Sequence, residues 1–335
     1  MKDLLDTLRG WVQTSTAPRR AAYRILKAPW LNRNPIYRRA YRKRIKRIIQ
    51  RYSNFPRTVS LETSAFCNAR CVMCTYPAMK RARGRMSWSL FADAVDECAR
   101  CGLETLYLSG FGEPLTDKEL AAKVAYAHSK GLWTSIVTNA STRDERRTKE
   151  LIKAGLDEVN ISIDGFTPEV YNKIRIGLDF DVVAENIRRL SRLKRGGKPA
   201  LNLEMVLIGS NWDQVAIARR DWGAIVDSIV VRQPQDWIGG IELEQEVYTP
   251  HRGRRRRFWP PCIYPFTQLS VYSDGTVPIC CLDYEAEGWV GRFGKESLAQ
   301  IWQDQAINHY RKRHLAQDGR LTSPCNRCSY FSVWW

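Results

Sequence analysis

Three cysteines, Cys67, Cys71 and Cys74, lie within eight residues in the spacing C-x3-C-x2-C. Thiolates are soft ligands that select zinc, copper(I) or iron–sulfur clusters. A closed zinc site needs a fourth ligand, but the next cysteine along the chain is Cys98 and the nearest histidine is His128. On a four-iron cluster, three protein thiolates leave one iron open. The spacing therefore predicts a centre at which a substrate or cofactor can bind metal directly.

A second group of cysteines lies near the C-terminus, in the frame PPC…SDGTVPICC…SPCNRC. Its members are Cys262, Cys280, Cys281, Cys325 and Cys328. The N-terminus lacks the apolar stretch of a signal peptide, and no segment has roughly 18 consecutive apolar residues, so we expect a cytoplasmic protein. In that reducing compartment, grouped cysteines indicate metal ligands or reactive thiols rather than disulfides.

The elements that must position these residues alternate between short β-branched strands and helical stretches from Thr58 onward. The predicted strands cover residues 58–64, 105–110, 133–139, 158–164, 201–208 and 225–231. The predicted helices cover residues 87–100, 117–130, 143–154, 181–194 and 213–220. Six strand-helix units predict a parallel α/β sheet with outer helices, either open or curled into a barrel with fewer than the usual eight units.

Polar residues follow the predicted strands at their carboxyl ends, where parallel α/β folds place their chemistry. These residues are Cys67, Gly112, Glu113, Asn139, Asp164 and Arg232. Because the carboxyl ends of parallel strands meet at one edge of the sheet, we expect these residues to share one site.

The order of these motifs resembles that of the radical SAM superfamily. CNARCVMC is followed by LSGFGEPL after the second strand, by TNAS after the third and by ISIDG in the fourth. The resemblance implies a partial (β/α)6 TIM-like barrel over residues 57–235, in which a [4Fe–4S] cluster reductively cleaves S-adenosylmethionine (SAM). The resulting 5′-deoxyadenosyl radical removes a hydrogen atom from a substrate. It also implies a reductant of the flavodoxin or ferredoxin type.

The resemblance assigns roles to individual residues of this chain. Cys67, Cys71 and Cys74 would hold the cluster, whose open iron binds the amine and carboxylate of SAM. The remaining SAM contacts would come from Gly112 and Glu113 at the methionine amine, from Asn139, Ser162 and Asp164 around the ribose and carboxylate, and from Arg175 paired with the carboxylate. Two departures from the family pattern are Phe111, inserted between two glycines in GFGEP, and Met73, where many members have an aromatic residue near the adenine.

The C-terminal segment resembles the SPASM/Twitch extension, which binds auxiliary iron–sulfur clusters. It would cover residues 261–335, after an arginine-rich linker over residues 236–260. The number of cysteines favours one auxiliary [4Fe–4S] cluster on Cys262, Cys280, Cys325 and Cys328, with zinc in the same four thiolates as the alternative. Cys281 is an alternative ligand, a packing residue or a thiol that donates a hydrogen atom to a substrate radical. The segment before the last cysteines also predicts a hairpin turning at Asp274-Gly275 and one helix over residues 297–313.

A four-thiolate cluster has no open iron, which favours electron acceptance over substrate binding. Relatives with a single auxiliary cluster include a dehydrogenase that acts on an aminocyclitol alcohol, so the resemblance implies oxidation of a secondary alcohol on a sugar or cyclitol. Arg232, Gln233 and Glu204 are candidates to bind or deprotonate it, or else they form salt bridges at the barrel rim. Epimerisation with Cys281 as hydrogen donor, and peptide maturation, are the alternatives within the enzyme class.

The positive charge of the chain is concentrated at its N-terminus. Residues 1–57 contain 16 Lys and Arg against two Asp, and so supply +14 of the formal net charge of +18. Within residues 1–56, the segment IYRRAYRKRIKRIIQRY predicts a basic amphipathic helix, and a shorter helix is predicted around Leu4 to Val12. The basic helix favours an anionic membrane surface, a phosphate- or lipid-linked substrate or RNA, or it packs on the main domain with solvated charges. RNA modification, or RNA binding without catalysis, therefore stays open as another class of function.

Overall fold

A computed structural model describes residues 34–142, 144–194, 196–232, 234–241, 261–316 and 320–328 of the chain. Its strands, in chain order, are β1 (Thr58–Leu61), β2 (Arg70–Cys71), β3 (Thr105–Tyr107), β4 (Thr134–Thr138), β5 (Glu158–Ser162), β6 (Arg175–Ile176), β7 (Ala200–Val206), β8 (Ser228–Arg232), β9 (Gln268–Val271), β10 (Thr276–Pro278) and β11 (Trp289–Arg292). Seven of them form one parallel sheet in the order β8-β7-β5-β4-β3-β1-β9. All six predicted barrel strands are present, and within the described residues no ladder joins β8 to β9. The barrel is therefore partial, as predicted.

The helices lie between these strands and after them. In chain order they are α1 (Pro35–Arg51), α2 (Trp88–Arg100), α3 (Leu120–Ser129), α4 (Glu145–Lys153), α5 (Pro168–Ile174), α6 (Phe180–Leu193), α7 (Gln214–Trp222), α8 (Leu298–Gln303) and α9 (Gln305–Ala316). Side-chain caps fix several starts, because an N-cap oxygen satisfies a free backbone N–H group. Ser87 accepts a hydrogen bond from the Leu90 N–H at the start of α2, and Asp144 accepts one from the Arg146 N–H at the start of α4.

Strand β7 shows how the sequence pattern sets the two faces of the sheet. Leu201, Leu203 and Met205 are buried, while the residues between them are half-buried. Successive side chains of a strand point to opposite faces, so these apolar residues pack in the core and Glu204 lies on the other face. Glu204 is paired in register with Ser162 of β5.

Strand β9 was not predicted as part of the barrel. It pairs in parallel with β1, with Val59 opposite Leu269 and Leu61 opposite Val271. The predicted hairpin turn at Asp274-Gly275 is present, but β10 forms its ladder with β11. Strand β9 pairs with β1 because β1 would otherwise leave buried residues at an unpaired edge of the sheet, and β9 covers that edge.

The single helix predicted over residues 297–313 is two helices, α8 and α9. Asp304 between them is extended, and its carboxylate accepts a hydrogen bond from the Ala306 N–H at 2.7 Å. Helix α8 is capped by the barrel, since the buried Glu97 carboxylate accepts hydrogen bonds from the Leu298 and Ala299 N–H groups at 2.9 and 2.8 Å. These bonds, together with β9, join the C-terminal region to the barrel.

The predicted basic helix is present as α1. Ile45 is buried, whereas Ile36 is 78% exposed, so only part of its apolar face is covered. Its basic residues Arg39, Arg42, Lys43, Arg44, Lys46 and Arg47 are exposed. An anionic surface as their partner stays a prediction. The helix predicted around Leu4 to Val12, Gln233 and most of the arginine-rich linker lie outside the described residues, and no described helix is both long and apolar enough to cross a bilayer.

Candidate active site

The cysteine loop follows β1 and is held by hydrogen bonds from its backbone N–H groups to its own side chains. The Cys67 N–H donates a hydrogen bond to the Tyr76 hydroxyl at 2.8 Å, and the Tyr76 N–H donates one to the Cys74 sulfur at 3.4 Å. Strands β2 and β6 form a two-residue antiparallel ribbon that places Cys71 opposite Arg175. The three predicted ligands are thus fixed by short-range bonds and by one non-local pairing.

The three thiols lie close enough to influence one another's ionisation. Burial, with smaller contributions from Glu113, Cys71 and Cys74, raises the pKa of Cys67 to about 12. Burial also raises the pKa of Cys71, against the lowering effect of Arg175, and the pKa of Cys74. Thiolates are stabilised here only if a positive centre is bound among them, as in a metal site.

The chemistry of the donor set bears on which metal group the loop fits. Cys67, Cys71 and Cys74 influence one another's ionisation, so the three thiols are neighbours. Soft thiolates are typical ligands of iron–sulfur clusters, and three of them leave one iron of a four-iron cluster open. The three thiols therefore fit such a cluster.

The GFGEP segment packs directly on the cysteine loop. The Glu113 N–H donates to the Phe66 carbonyl at 2.7 Å, and a Cβ at Gly112 would lie 2.1 Å from the Ser64 carbonyl oxygen. The Glu113 carboxylate accepts hydrogen bonds from the Thr138 hydroxyl (2.5 Å), the Asn139 N–H (2.7 Å) and the Leu115 N–H (3.0 Å). This uses three of about four acceptor positions of a carboxylate. Glu113 therefore ties the ends of β3 and β4 together.

The TNAS segment after β4 is strained and is held from two sides. Ala140 has φ 54°, a conformation that disfavours residues with a Cβ. The Asn186 side chain donates to the carbonyls of Ala140 and Thr142 at 2.7 and 2.6 Å. The Asn139 side chain donates to Asn68, next to Cys67, at 2.9 Å. The hydrogen bonds that hold this strained turn also place Asn139 against the cysteine loop.

Asp164 and Arg175 form a buried ion pair at the end of β5. Arg175 Nε and Nη2 are each 2.5 Å from Asp164 Oδ2, and the Val206 N–H donates to Oδ1 at 2.7 Å. Burial lowers the pKa of Arg175, but Asp164 and Cys71 raise it more, so the guanidinium stays charged. Ser162, the last residue of β5, lies two residues before Asp164.

Tyr171 is a site residue that sequence reasoning missed. Its side chain is fully buried, and within the described residues its hydroxyl has no hydrogen-bond partner. Arg175, Cys71, Asp164 and Glu113 all influence its ionisation, and burial raises its pKa. Its position four residues before Arg175, about one helical turn, was the available signal. A buried hydroxyl in this setting fits a polar group of a bound molecule such as SAM.

Phe111, the departure from the family motif, packs in an aromatic cluster. Its ring centroid lies 5.4 Å from Trp237, 6.1 Å from Tyr284 and 6.2 Å from Tyr272. The Trp237 indole N–H in turn donates to the Met73 carbonyl at 2.8 Å. The inserted phenylalanine thus links the SAM motif, the third cysteine and the C-terminal region.

A buried ion pair that the sequence did not reveal lies beside this cluster. The Arg81 guanidinium donates to both Glu62 oxygens at 2.8 and 2.6 Å, and it stacks 3.8 Å from the Tyr272 ring centroid. The Phe111 N–H also donates to Glu62, at 3.0 Å. The pair fixes the GFGEP segment against β1.

The inner face of the sheet is polar. Ser135, Glu158, Asn160, Asn202 and Ser228 form a hydrogen-bonded network across four neighbouring strands or strand ends. Arg232, at the rim, forms an ion pair with Glu204. This pairing corresponds to the salt-bridge alternative of the sequence analysis, and Gln233 lies outside the described residues.

The C-terminal cysteines also converge. Burial raises the pKa of Cys280 well above its ordinary value, and the thiols of Cys281, Cys325, Cys328 and Cys262 raise it further. Burial likewise raises the pKa of Cys262, with smaller contributions from Cys328 and Cys325. Cys281 differs from the rest, because its sulfur accepts a hydrogen bond from the Gln268 side chain at 3.2 Å.

Two family models match the chain. Residues 61–220 match the radical SAM superfamily, and residues 262–329 match SPASM, an iron–sulfur cluster-binding domain. The chain therefore contains a radical SAM domain followed by a SPASM domain. This confirms the resemblance: the radical SAM domain implies SAM and a [4Fe–4S] cluster, and the SPASM domain implies auxiliary iron–sulfur binding.

Curated relatives of this radical SAM protein act on different substrates. The tungsten-containing aldehyde ferredoxin oxidoreductase cofactor-modifying protein of Pyrococcus furiosus is 29% identical over 177 residues, which cover 51% of this chain and 49% of that protein. The PqqA peptide cyclase of Ruegeria pomeroyi is 30% identical over 161 residues, which cover 48% of this chain and 42% of that protein. The chain thus spans about half the length of these relatives.

Solved radical SAM structures confirm the fold. BtrN in complex with AdoMet and 2-DOIA superposes with a TM-score of 0.57 at 16% identity, covering 83% of this chain and 95% of BtrN. Streptococcus suis SuiB bound to its precursor peptide SuiA gives a TM-score of 0.65 at 12% identity, covering 87% of this chain and 74% of SuiB. At these identities the likeness concerns the architecture alone.

Proposed function

We propose that this protein oxidises a secondary alcohol of a small sugar- or cyclitol-like substrate and passes the released electron to one auxiliary [4Fe–4S] cluster. The observation that supports the proposal is the proximity of Cys262, Cys280, Cys325 and Cys328, which are close enough to influence one another's ionisation. Four protein thiolates occupy every external position of a four-iron cluster. Such a cluster exchanges electrons but has no open iron for substrate.

The reaction balances without an external oxidant. A cluster held in the barrel would supply the one electron that cleaves SAM into methionine and a 5′-deoxyadenosyl radical, and this radical would remove the hydrogen atom from the carbinol carbon. The substrate then loses one proton and one electron to become a ketone. One SAM and one alcohol thus give methionine, 5′-deoxyadenosine, a ketone and a proton, with the electron recovered by the auxiliary cluster.

The residues that would hold the cofactors are those of the site described above. Cys67, Cys71 and Cys74 would bind the barrel cluster. Gly112, Glu113, Asn139, Ser162, Asp164 and Arg175 would surround SAM, with the Tyr171 hydroxyl as an additional donor. Because Arg175 is already paired with Asp164, its contact with a SAM carboxylate would be shared with that pair.

The substrate would meet polar groups at the rim and inside the barrel. Glu204 is mostly buried and Arg232 is half-exposed, so the pair presents a carboxylate toward the interior and a guanidinium toward solvent. A hydroxyl-rich substrate is compatible with this lining, and Glu204 would accept the proton during oxidation. A phosphate-linked substrate would bind Arg232.

Two other reactions are supported by specific observations. Epimerisation is supported by Cys281, a thiol beside the auxiliary ligands that is not needed for a four-thiolate cluster. Peptide modification is supported by the similarity to PqqA peptide cyclase. Both reactions use the same barrel site and differ from oxidation in the fate of the substrate radical.

Anaerobic turnover with SAM and dithionite would separate these reactions. Oxidation is expected to give one ketone per 5′-deoxyadenosine from a panel of sugars and cyclitols. The Cys325→Ala variant should still form 5′-deoxyadenosine but little ketone, because it loses the electron acceptor. Solvent deuterium entering the substrate in a Cys281-dependent way would establish epimerisation instead, and wild-type protein that forms no 5′-deoxyadenosine would overturn all three.

A further inference from the structure

The β2–β6 ribbon has two different faces. Cys71 and Arg175 lie opposite each other, and Arg175 is hydrogen-bonded to the buried Asp164, so this face of the ribbon is turned inward. Side chains alternate along a strand, so the paired residues Arg70 and Ile176 lie on the opposite face, and Val72 directly follows β2. These three residues, here called the ribbon face, are exposed; Val72 is 48% and Ile176 is 42% accessible. One backbone layer, roughly 5 Å or half the spacing of packed sheets, separates this surface from a proposed cluster ligand.

Exposed large apolar side chains are few in the described part of the chain. There are eight, and three of them, Phe66, Val72 and Ile176, are next in sequence to Cys67, Cys71 and Arg175 respectively. The rest are scattered over other elements. Val72 and Ile176 both belong to the ribbon region, and exposed apolar side chains that lie together with a charged rim mark interaction sites.

The charges around the ribbon face are positive. Arg70 and Lys173 are exposed, and neither forms an ion pair with any described residue. Arg85 stacks on the Phe66 ring, 4.8 Å from its centroid. The ribbon residues 68–72 and 173–177 contain no Asp or Glu. An apolar centre with a basic rim is complementary to a partner with an acidic rim.

We propose that the ribbon face is the docking surface for an acidic electron-carrier protein of the ferredoxin or flavodoxin class, which reduces the barrel cluster through it. The proposal rests on the proposed function, since it requires a cluster at Cys71. In the step, one electron leaves the reduced carrier and enters the oxidised cluster, and no atom is transferred. The substrate does not compete for this surface, because it enters on the inner side where Asp164 and Glu204 lie. The small area fits the weak, transient complexes of electron carriers.

Two electron sources in parallel assays test the proposal. The Val72→Asp/Ile176→Asp variant and the milder Arg70→Glu variant are compared with wild type for 5′-deoxyadenosine formation, driven by dithionite or by a recombinant reduced flavodoxin. Dithionite is small and needs no docking surface, so its rate should stay within about twofold of wild type. The flavodoxin-driven rate should fall about tenfold or more, and the wild-type rate should fall with added salt, as expected for a charged encounter.

Trp133→Asp is the matched control. Trp133 is also an exposed apolar residue, but it directly precedes β4, at the opposite end of the strands. This variant should match wild type with both reductants. Iron content and thermal unfolding of each variant establish that the fold is intact.

The possible outcomes are distinct. Equal loss with both reductants, in either ribbon variant, would show a structural role and overturn the docking proposal. Unchanged flavodoxin-driven rates would overturn it as well while leaving the proposed function intact. Wild-type protein that forms no 5′-deoxyadenosine with dithionite would remove the proposed function itself, and with it the need for a carrier.

Discussion

The Arg175 guanidinium is held 2.5 Å from the buried Asp164 carboxylate, directly across the ribbon from Cys71. This ion pair links the end of β5 to the cysteine loop. Both partners are shielded from solvent, so the attraction is weakly screened, and each charge depends on the other.

Breaking this pair should destabilise the protein strongly. Arg175→Ala leaves the Asp164 charge buried without compensation, and we expect the free energy of unfolding to fall by about 3–5 kcal/mol. Urea denaturation of the metal-free protein measures it. The Arg175→Ala/Asp164→Asn double variant should lose less than the sum of the single losses, and strict additivity would contradict the coupling.

Gly112→Ala should abolish the barrel cluster. The new Cβ would lie 2.1 Å from the Ser64 carbonyl, so the backbone of the cysteine loop has to move. We expect a loss of about four irons per chain and of 5′-deoxyadenosine formation. Gly84→Ala is the control, because its nearest neighbour would be Ser273 Oγ at 3.7 Å, an ordinary contact. Full iron content in Gly112→Ala would show that the two loops are not in rigid contact.

The adjacent cysteines Cys280 and Cys281 should differ in iron binding. The ionisation of Cys280 is influenced by all the other C-terminal thiols, whereas the Cys281 sulfur accepts a hydrogen bond from the Gln268 side chain. Cys280→Ser should therefore lose about four of about eight irons, and Cys281→Ser should keep them. Iron and sulfide counts on anaerobically reconstituted protein measure this. The reverse pattern would make Cys281 the ligand.

The C-terminal region should lose stability in mild acid through His314. Burial lowers the pKa of His314 to about 4, below its ordinary value of 6.5. The unfolded chain therefore protonates His314 at a higher pH than the folded chain does. The free energy of unfolding is thus highest above pH 6.5 and falls as the pH falls from 6.5 toward 4. A shift of this size corresponds to about 3 kcal/mol.

The measurement is the free energy of unfolding between pH 4 and 7, for wild type and His314→Gln. The variant should show a shallower slope, since its side chain does not titrate. Parallel curves would mean that another group controls the acid limb.

Much of the barrel was predictable from local patterns. The strands and helices follow from hydrophobic periodicity, and the parallel order places Glu113, Asn139 and Asp164 at one edge. The family relationship, and with it the two kinds of cofactor, followed from short motifs in order. These features depend on residues close together in the sequence, or on a rule that applies to every parallel sheet.

The tertiary structure decided the features that join distant segments. The pairing of β9 with β1, the Glu97 cap on α8 and the Glu62–Arg81 pair each link residues separated by long stretches of chain. No local pattern encodes such a contact, because either partner is compatible with many others until the chain folds. The sequence alone thus determined the strand-helix order, the cysteine groups and the family. The tertiary structure alone decided which polar and aromatic residues surround the cysteine groups. The physical reason is that a charged or polar group that is buried on folding needs a specific hydrogen-bond or charge partner.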